Sequence, residues 1–196
     1  WEVQRFDREV GEALALLEQA GELENTVIVM TGDHGLPFPR GKSNLYDLGA
    51  HVPLAVRWGA KAKAGRTVLD FVSFVDLAPT FLEAAGLKPL PEMTGHSLLG
   101  LLQSGQSGWV EARRGHVIYG KERHVPSQEK GKLGGYPCRA LRNHDFLYIR
   151  NFRPELGPAG IAELTENHKP DERKNEEPRE HCDENHHELV RPFGAN

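Results

Sequence analysis

Apolar side chains recur at three- and four-residue steps at Phe6, Val10, Ala13, Leu14 and Leu17. That spacing places them on one face of a helix and predicts one from about Asp7 to Ala20, stopped by Gly21. Past the turn residues Glu24-Asn25 the pattern changes. Thr26 to Thr31 (TVIVMT) is a short continuous apolar run, which reads as a strand buried on both faces. Helix, tight turn and buried strand in succession predict an α/β sheet.

A loop rich in Gly and Pro follows, Gly32 to Gly41, with prolines at 37 and 39. Leu54 to Trp58 predicts a second strand, entered through Val52-Pro53. Phe71 to Val75 fits strand or loop. Asp76 is expected to N-cap a helix with Pro79 in its first turn, Phe81, Leu82 and Ala85 along it, and Gly86 at its end. Leu98 to Leu102 predicts a short helical turn. His116 to Tyr119 (HVIY), Ala140-Leu141 with its flanks, and Phe146 to Ile149 predict three further strands. The turn Asn143-His144-Asp145 makes the last two a hairpin.

The expected order is therefore an α/β unit over 1–105 and a small antiparallel β unit over 106–160. From 161 to 196 the chain carries ten acidic and five basic residues and few apolar ones. Such a segment does not bury enough surface to offset its ordering entropy, so a polar, acidic, mobile tail is expected there.

Composition narrows the classes. The 196 residues suffice for one ordinary domain or one and a half. A net charge of −4, with no Lys/Arg stripe carrying aromatics in register, argues against a nucleic-acid partner. No apolar run reaches the ~20 residues of a membrane span. Cys138 and Cys182 form no disulfide framework, although one bridge between them stays open. Trp1, rather than Met, opens the chain inside a helical pattern with no signal-peptide pattern, so a fragment is expected.

The chemistry concentrates after the first strand, in Thr31-Gly-Asp-His-Gly35, with Lys42 eight residues beyond His34. In an open α/β sheet ligands sit beyond the carboxyl ends of strands, where Asp33 and His34 fall. Asp33 offers the hard anionic oxygen that calcium or magnesium prefers. His34 suits zinc or manganese better than calcium, and equally suits a hydrogen bond to an oxyanion. Lys42 brings a compact positive charge to the same loop. The plain alternative is a capping Asp and a surface His in a turn.

Four stretches in order, TVIVMTGDHG, GKSNLYDLGAHVPLAVRWG, GRTVLDFVSFVDLAPTFLEAAGL and MTGHSLLGLL, resemble the C-terminal half of a sulfatase. Sulfatases belong to the alkaline-phosphatase-like superfamily. YGKERH and GYPCRALRNHDFLYIRNFRPE resemble the subgroup that includes heparan N-sulfatase-like proteins, so the resemblance reaches about Gly160. The acidic tail departs from the aromatic-Asp-Leu segment expected near the family's C-terminus.

The resemblance implies an alkaline-phosphatase-like mixed sheet flanked by helices, followed by the small antiparallel unit. It implies calcium, or another divalent metal, held by Asp33 and His34, although many relatives carry Asn at the second position. It implies Lys42 on the sulfate group. Arg123 and His124, in GKERH, become candidate substrate-pocket residues, and His124 a candidate proton donor to the leaving group. Their alternative is a polar loop at a strand end. His51, Asp47 and Tyr46 read as structural.

A formylglycine nucleophile, made from Cys or Ser in C/S-x-P-x-R, and an Asp pair are expected in an N-terminal half of the same protein. Cys138-Arg-Ala-Leu-Arg142 is a near miss to that motif, but it follows the Asp-His-Gly loop and enters a hairpin, so a core cysteine is expected. The segment 181–187 (HCDENHH) has metal-capable side chains, but its spacing matches no standard structural zinc site. The implied partner is a sulfated glycan or other sulfate ester, and the implied compartment exported, periplasmic or lysosomal. Phosphodiesterases and phosphonate hydrolases of the same superfamily are the alternative, and a non-catalytic glycan-binding relative is a third. These 196 residues alone are expected to be inactive.

Overall fold

The computed structural model describes residues 1–122, 137–154 and 187–190. In chain order the elements are α1 (Glu2–Gln19), β1 (Ile28–Thr31), α2 (Asp47–Ala50), β2 (Leu54–Arg57), α3 (Leu77–Ala84), α4 (Leu99–Gln103), β3 (His116–Lys121), β4 (Cys138–Asn143), β5 (Leu147–Asn151) and β6 (His187–Val190). They fall into two compact units. One comprises 1–32 and 53–114; the other comprises 33–52 and the residues from Gly115 onward. No helix among the described residues is long and apolar enough to cross a membrane.

In the first unit α1 starts at Glu2, earlier than the apolar pattern predicts. Its first turns are polar and carry i,i+4 pairs, Arg5 to Glu9 at 2.8 Å and Arg8 to Glu12 at 3.8 Å. The helix stops as expected. Gly21 takes φ 73°, and the Glu22 N–H donates to the Leu17 carbonyl at 2.9 Å, satisfying a C-terminal orphan acceptor. Val10, Leu14 and Leu17 are half-buried, whereas Phe6 stays exposed.

β1 pairs antiparallel with β2, Ile28 opposite Arg57 and Thr31 opposite Leu54. Here the expectation of a strand buried on both faces is corrected. Ile28, Val29 and Met30 are half-buried and Thr31 is exposed. β2 is the sole partner of β1 among the described residues, and a two-stranded ribbon lacks the covering layers that bury a central strand.

Asp76 takes its expected place at the N-cap of α3, but its side chain makes no cap bond to that helix. Helical backbone begins earlier, in a 3-10 turn over Phe74–Asp76 that runs into α3, so Asp76 already has helical dihedrals. Its carboxylate reaches back to the Ser73 N–H at 3.0 Å and also accepts from the His96 N–H at 2.8 Å. Gly86, with φ 76°, ends the helix as expected.

The same carboxylate takes the Arg114 guanidinium at 2.9 Å. Arg114 is 5% exposed and also donates to the carbonyls of His96 and Ser97, at 2.7 and 3.0 Å. One cation thus ties the start of α3 to the segment that leads into α4. Thr80 adds a second tie, donating to the Asp76 carbonyl at 2.6 Å and accepting the Leu98 N–H at 2.8 Å. Arg66 closes the far end of α4, donating to the Leu101 and Leu102 carbonyls at 3.1 and 2.9 Å.

The second unit holds a four-stranded antiparallel sheet in the order β3-β4-β5-β6. The predicted hairpin is present. Asn143 accepts the N–H groups of Asp145 and Phe146 on its side-chain oxygen, at 3.0 and 2.7 Å, which turns the chain. Strand alternation puts Tyr119, Ala140 and Ile149 in one inward row and Lys121, Cys138 and Asn151 in the next. Leu45, Cys138, Ala140 and Leu147 form the core on that face, with Tyr46, Tyr119 and Ile149 against it.

β6 corrects the expectation of a tail at one place. His187–Val190 pairs with β5, His187 opposite Arg150 and Val190 opposite Leu147. A strand edge offers unpaired backbone N–H and C=O groups, and pairing with them asks little of side-chain hydrophobicity. The rest of 155–196 lies outside the described residues.

Removing one partner of a buried pair strands the other's charge. Arg114→Met is expected to cost about 3–5 kcal/mol of unfolding free energy in a urea titration. A loss below about 1 kcal/mol would contradict the role given to Arg114.

Candidate functional site

β1 ends at Thr31, and the chain passes through Gly32 into Asp33 and His34. The His34 Nδ1 lies 2.9 Å from the Gly35 carbonyl oxygen. A carbonyl only accepts, so Nδ1 donates in this contact and Nε2 is the ring nitrogen left to face a ligand. Nε2 sits 3.5 Å from the Asp33 Oδ2. A carboxylate oxygen and an imidazole nitrogen that close face either a ring proton or a cation between them. The donor chemistry therefore fits a divalent cation, with one hard oxygen and one imidazole nitrogen. Two donors fall short of the six to eight that calcium takes. Among the described residues no cluster of three or more His, Cys, Asp or Glu completes such a set.

The loop behind this pair is backbone packed on backbone. A Cβ on Gly35 would lie 1.9 Å from the Leu48 carbonyl oxygen, and one on Gly41 would lie 2.1 Å from that of Leu36. One on Gly49 would meet the Gly41 carbonyl oxygen at 2.3 Å. Hydrogen bonds use that closeness. The Gly35 N–H donates to Gly49 at 3.1 Å, and the Lys42 N–H donates to Leu36 at 2.7 Å. Residues 36 to 42 thereby form a closed turn that returns Lys42 to the start of the loop. Lys42 is exposed and has no ion-pair partner among the described residues. Arg40 and Ser43, on either side of it, take φ 62° and 68°, a conformation that costs non-glycine residues energy.

Side chains of the sheet hold the loop. Tyr119 Oη donates to the Leu45 carbonyl at 2.8 Å, and Lys121 Nζ donates to the Ser43 carbonyl at 2.6 Å. Arg142 grips Asp47 with two nitrogens, at 3.0 and 3.3 Å. Arg40 lies over the Tyr46 ring, 5.0 Å from its centre. Burial, with the Asp47 charge adding to it, pushes the Tyr119 phenol up to about 12, so it stays a donor at any ordinary pH. Burial pulls Lys121 below the usual lysine range.

Asp47 opens α2, and the N–H of the exposed His51 donates to the Asp47 carbonyl at 2.8 Å. Cys138 is buried on β4, donates to the Asn151 side-chain oxygen at 2.8 Å, and is held above the usual thiol range by burial. It is a core cysteine of the hairpin. Arg123, His124 and Cys182 lie outside the described residues, as does the segment 181–187 apart from the backbone of His187.

The loop's anchors, Tyr119, Lys121 and Arg142, were not legible as such. A signal existed: alternation from Val117 puts a lysine at an inward position of β3, where an apolar residue is the default.

The family model described as Sulfatase matches residues 2–87. An ulvan-active sulfatase of Formosa agariphila is 38% identical over 152 residues, which is 78% of this chain and 23% of that protein. Human N-sulphoglucosamine sulphohydrolase is 31% identical, over 76% of this chain and 29% of that protein. The chain thus spans about a quarter of the length of these relatives. Among solved structures, a complex with D-glucosamine-2-N,6-O-disulfate as substrate aligns with TM-score 0.63 and 27% identity, over 84% of this chain and 37% of that one. A phosphonate monoester hydrolase from Silicibacter pomeroyi aligns with TM-score 0.62 and 26% identity, over 74% and 30%.

A buried thiol held above its usual range has little thiolate at pH 8. Iodoacetamide labelling of Cys138, followed peptide by peptide in a mass spectrometer, is expected to run at least about tenfold slower in the folded protein than in urea. Equal rates would contradict the burial of Cys138.

Proposed function

The chain belongs to the sulfatase family, and from that premise we propose that the protein carrying it hydrolyses sulfate esters or sulfamates on glycans. Its α/β fold is that of the alkaline-phosphatase-like enzymes. The observation that carries the reading is that the family match over 2–87 takes in Asp33, His34 and Lys42, on a loop of locked backbone. The glycan class is supported by the names of the relatives and by the glucosamine disulfate in the aligned complex.

Hydrolysis at sulfur breaks the bond to the leaving oxygen or nitrogen and leaves a sulfate whose oxygens carry the charge. Fixed positive charge at those oxygens is the largest electrostatic contribution a site of this kind makes. Lys42 supplies one such charge. Asp33 and His34 would hold a divalent cation, calcium by family resemblance, which when bound would supply another. In this reading Arg123 binds substrate, and His124 binds substrate and protonates the leaving group. The formylglycine of the family has no C/S-x-P-x-R motif in these 196 residues, so in this reading they hold the anion and, through His124, serve the leaving group.

The alignment to a phosphonate monoester hydrolase favours a second reading. Phosphonate monoesters are also tetrahedral anions, and a lysine with a divalent cation serves both.

In the whole protein, Lys42→Ala is expected to lower kcat/KM on a sulfated glycan by roughly a hundredfold or more, with the unfolding midpoint unchanged. Undiminished turnover would remove Lys42 from the site. Asp33→Asn is expected to weaken calcium binding by at least about tenfold in a calorimetric titration. Unaltered binding would remove Asp33 from the metal.

A further inference from the structure

The lysine that holds the loop from behind has no assigned part in the chemistry. Lys121 points inward from β3, in the row it shares with Cys138 and Asn151, and its Nζ donates to the Ser43 carbonyl at 2.6 Å. Ser43 is the residue directly after Lys42 and sits at φ 68°. Tyr119 and Arg142 hold Leu45 and Asp47, further along the loop. Lys121 is the anchor nearest to Lys42.

We propose that Lys121 is a positioning residue for Lys42: it pins the Ser43 carbonyl, keeps Ser43 left-handed, and so sets the direction in which Lys42 leaves the loop. The physical argument is one of strain. A serine in the left-handed region relaxes to ordinary dihedrals unless its surroundings forbid it. Rotation of that one residue turns the Ser43 carbonyl away and re-aims the segment before it. A charge-assisted hydrogen bond from a desolvated ammonium is a strong restraint on a carbonyl. The burial that pulls Lys121 below the usual lysine range disfavours its charge, so this position is a costly one for a residue that only filled space.

The proposal rests on the reading of Lys42 as a sulfate-binding residue, and the experiment separates the two. In the whole protein, Lys121→Met, Lys121→Arg, Lys42→Ala and the Lys42→Ala/Lys121→Met double variant are compared. The first readout is trypsin cleavage between Arg40 and Gly41, which needs no substrate. The second is the inhibition constant of inorganic sulfate.

Lys121→Met is expected to speed that cleavage at least about tenfold, with sites outside the loop unchanged apart from the one Lys121 itself supplies, and to raise the sulfate constant by about tenfold. Lys121→Arg, which keeps a donor, is expected to recover part of both and serves as the test if the Met variant does not fold. The double variant is expected to match Lys42→Ala, because Lys121 acts through Lys42. Unchanged cleavage, or sulfate effects that simply add in the double variant, would overturn the proposal. Faster cleavage with a normal sulfate constant in Lys42→Ala would leave Lys121 as the loop's anchor and overturn the reading of Lys42.

Discussion

Direct contact of backbone with backbone is the constraint on which the candidate site depends. Gly35, Gly41 and Gly49 each sit where a single Cβ would collide with a carbonyl oxygen. Because none is present, three passes of the chain close on one another and exchange hydrogen bonds. Asp33 and His34 therefore leave from one edge of a braced turn, and Lys42 from its return. A site that binds charge gains from such rigidity, since donors already in place lose nothing by being ordered when an anion arrives.

The two units use cations in opposite ways. Arg114 is buried, saturated with acceptors and spent on joining α3 to α4. Lys42 is exposed on a strained loop. Lys121 stands between these extremes: half-buried and donating to the Ser43 carbonyl, it links the sheet's inner face to the residue beside Lys42. The sheet therefore serves the loop, and its inward rows carry polar side chains where a plain core would carry apolar ones.

Much of this was readable in the chain. Continuous apolar runs and turn residues located β1, β2 and the β4–β5 hairpin, and glycines marked the ends of α1 and α3. The TGDHG loop and Lys42 stood out by residue type, and the family by motifs in order. What escaped was set by long-range contact. Local pattern placed Asp76 just ahead of α3, but the partner of its carboxylate, Arg114, lies far along the chain and makes it a buried acceptor. The half-burial of β1 depends on how many strands and layers flank it, which no local window carries. β6 is a pairing of backbone with a distant edge, invisible to hydrophobic periodicity. Lys121 could be seen as an inward lysine, but its target, the Ser43 carbonyl, only folding reveals.

We propose that this loop belongs to a protein that cleaves sulfate from glycans. The most direct test offers the whole protein a matched pair of substrates, a sulfate ester and a phosphate ester of the same sugar position, with calcium present. kcat/KM for the sulfate ester is expected to exceed that for the phosphate ester by at least about a hundredfold. Equal turnover, or preference for the phosphate ester, would contradict it and place the protein with the phosphonate and phosphate ester hydrolases of the same fold.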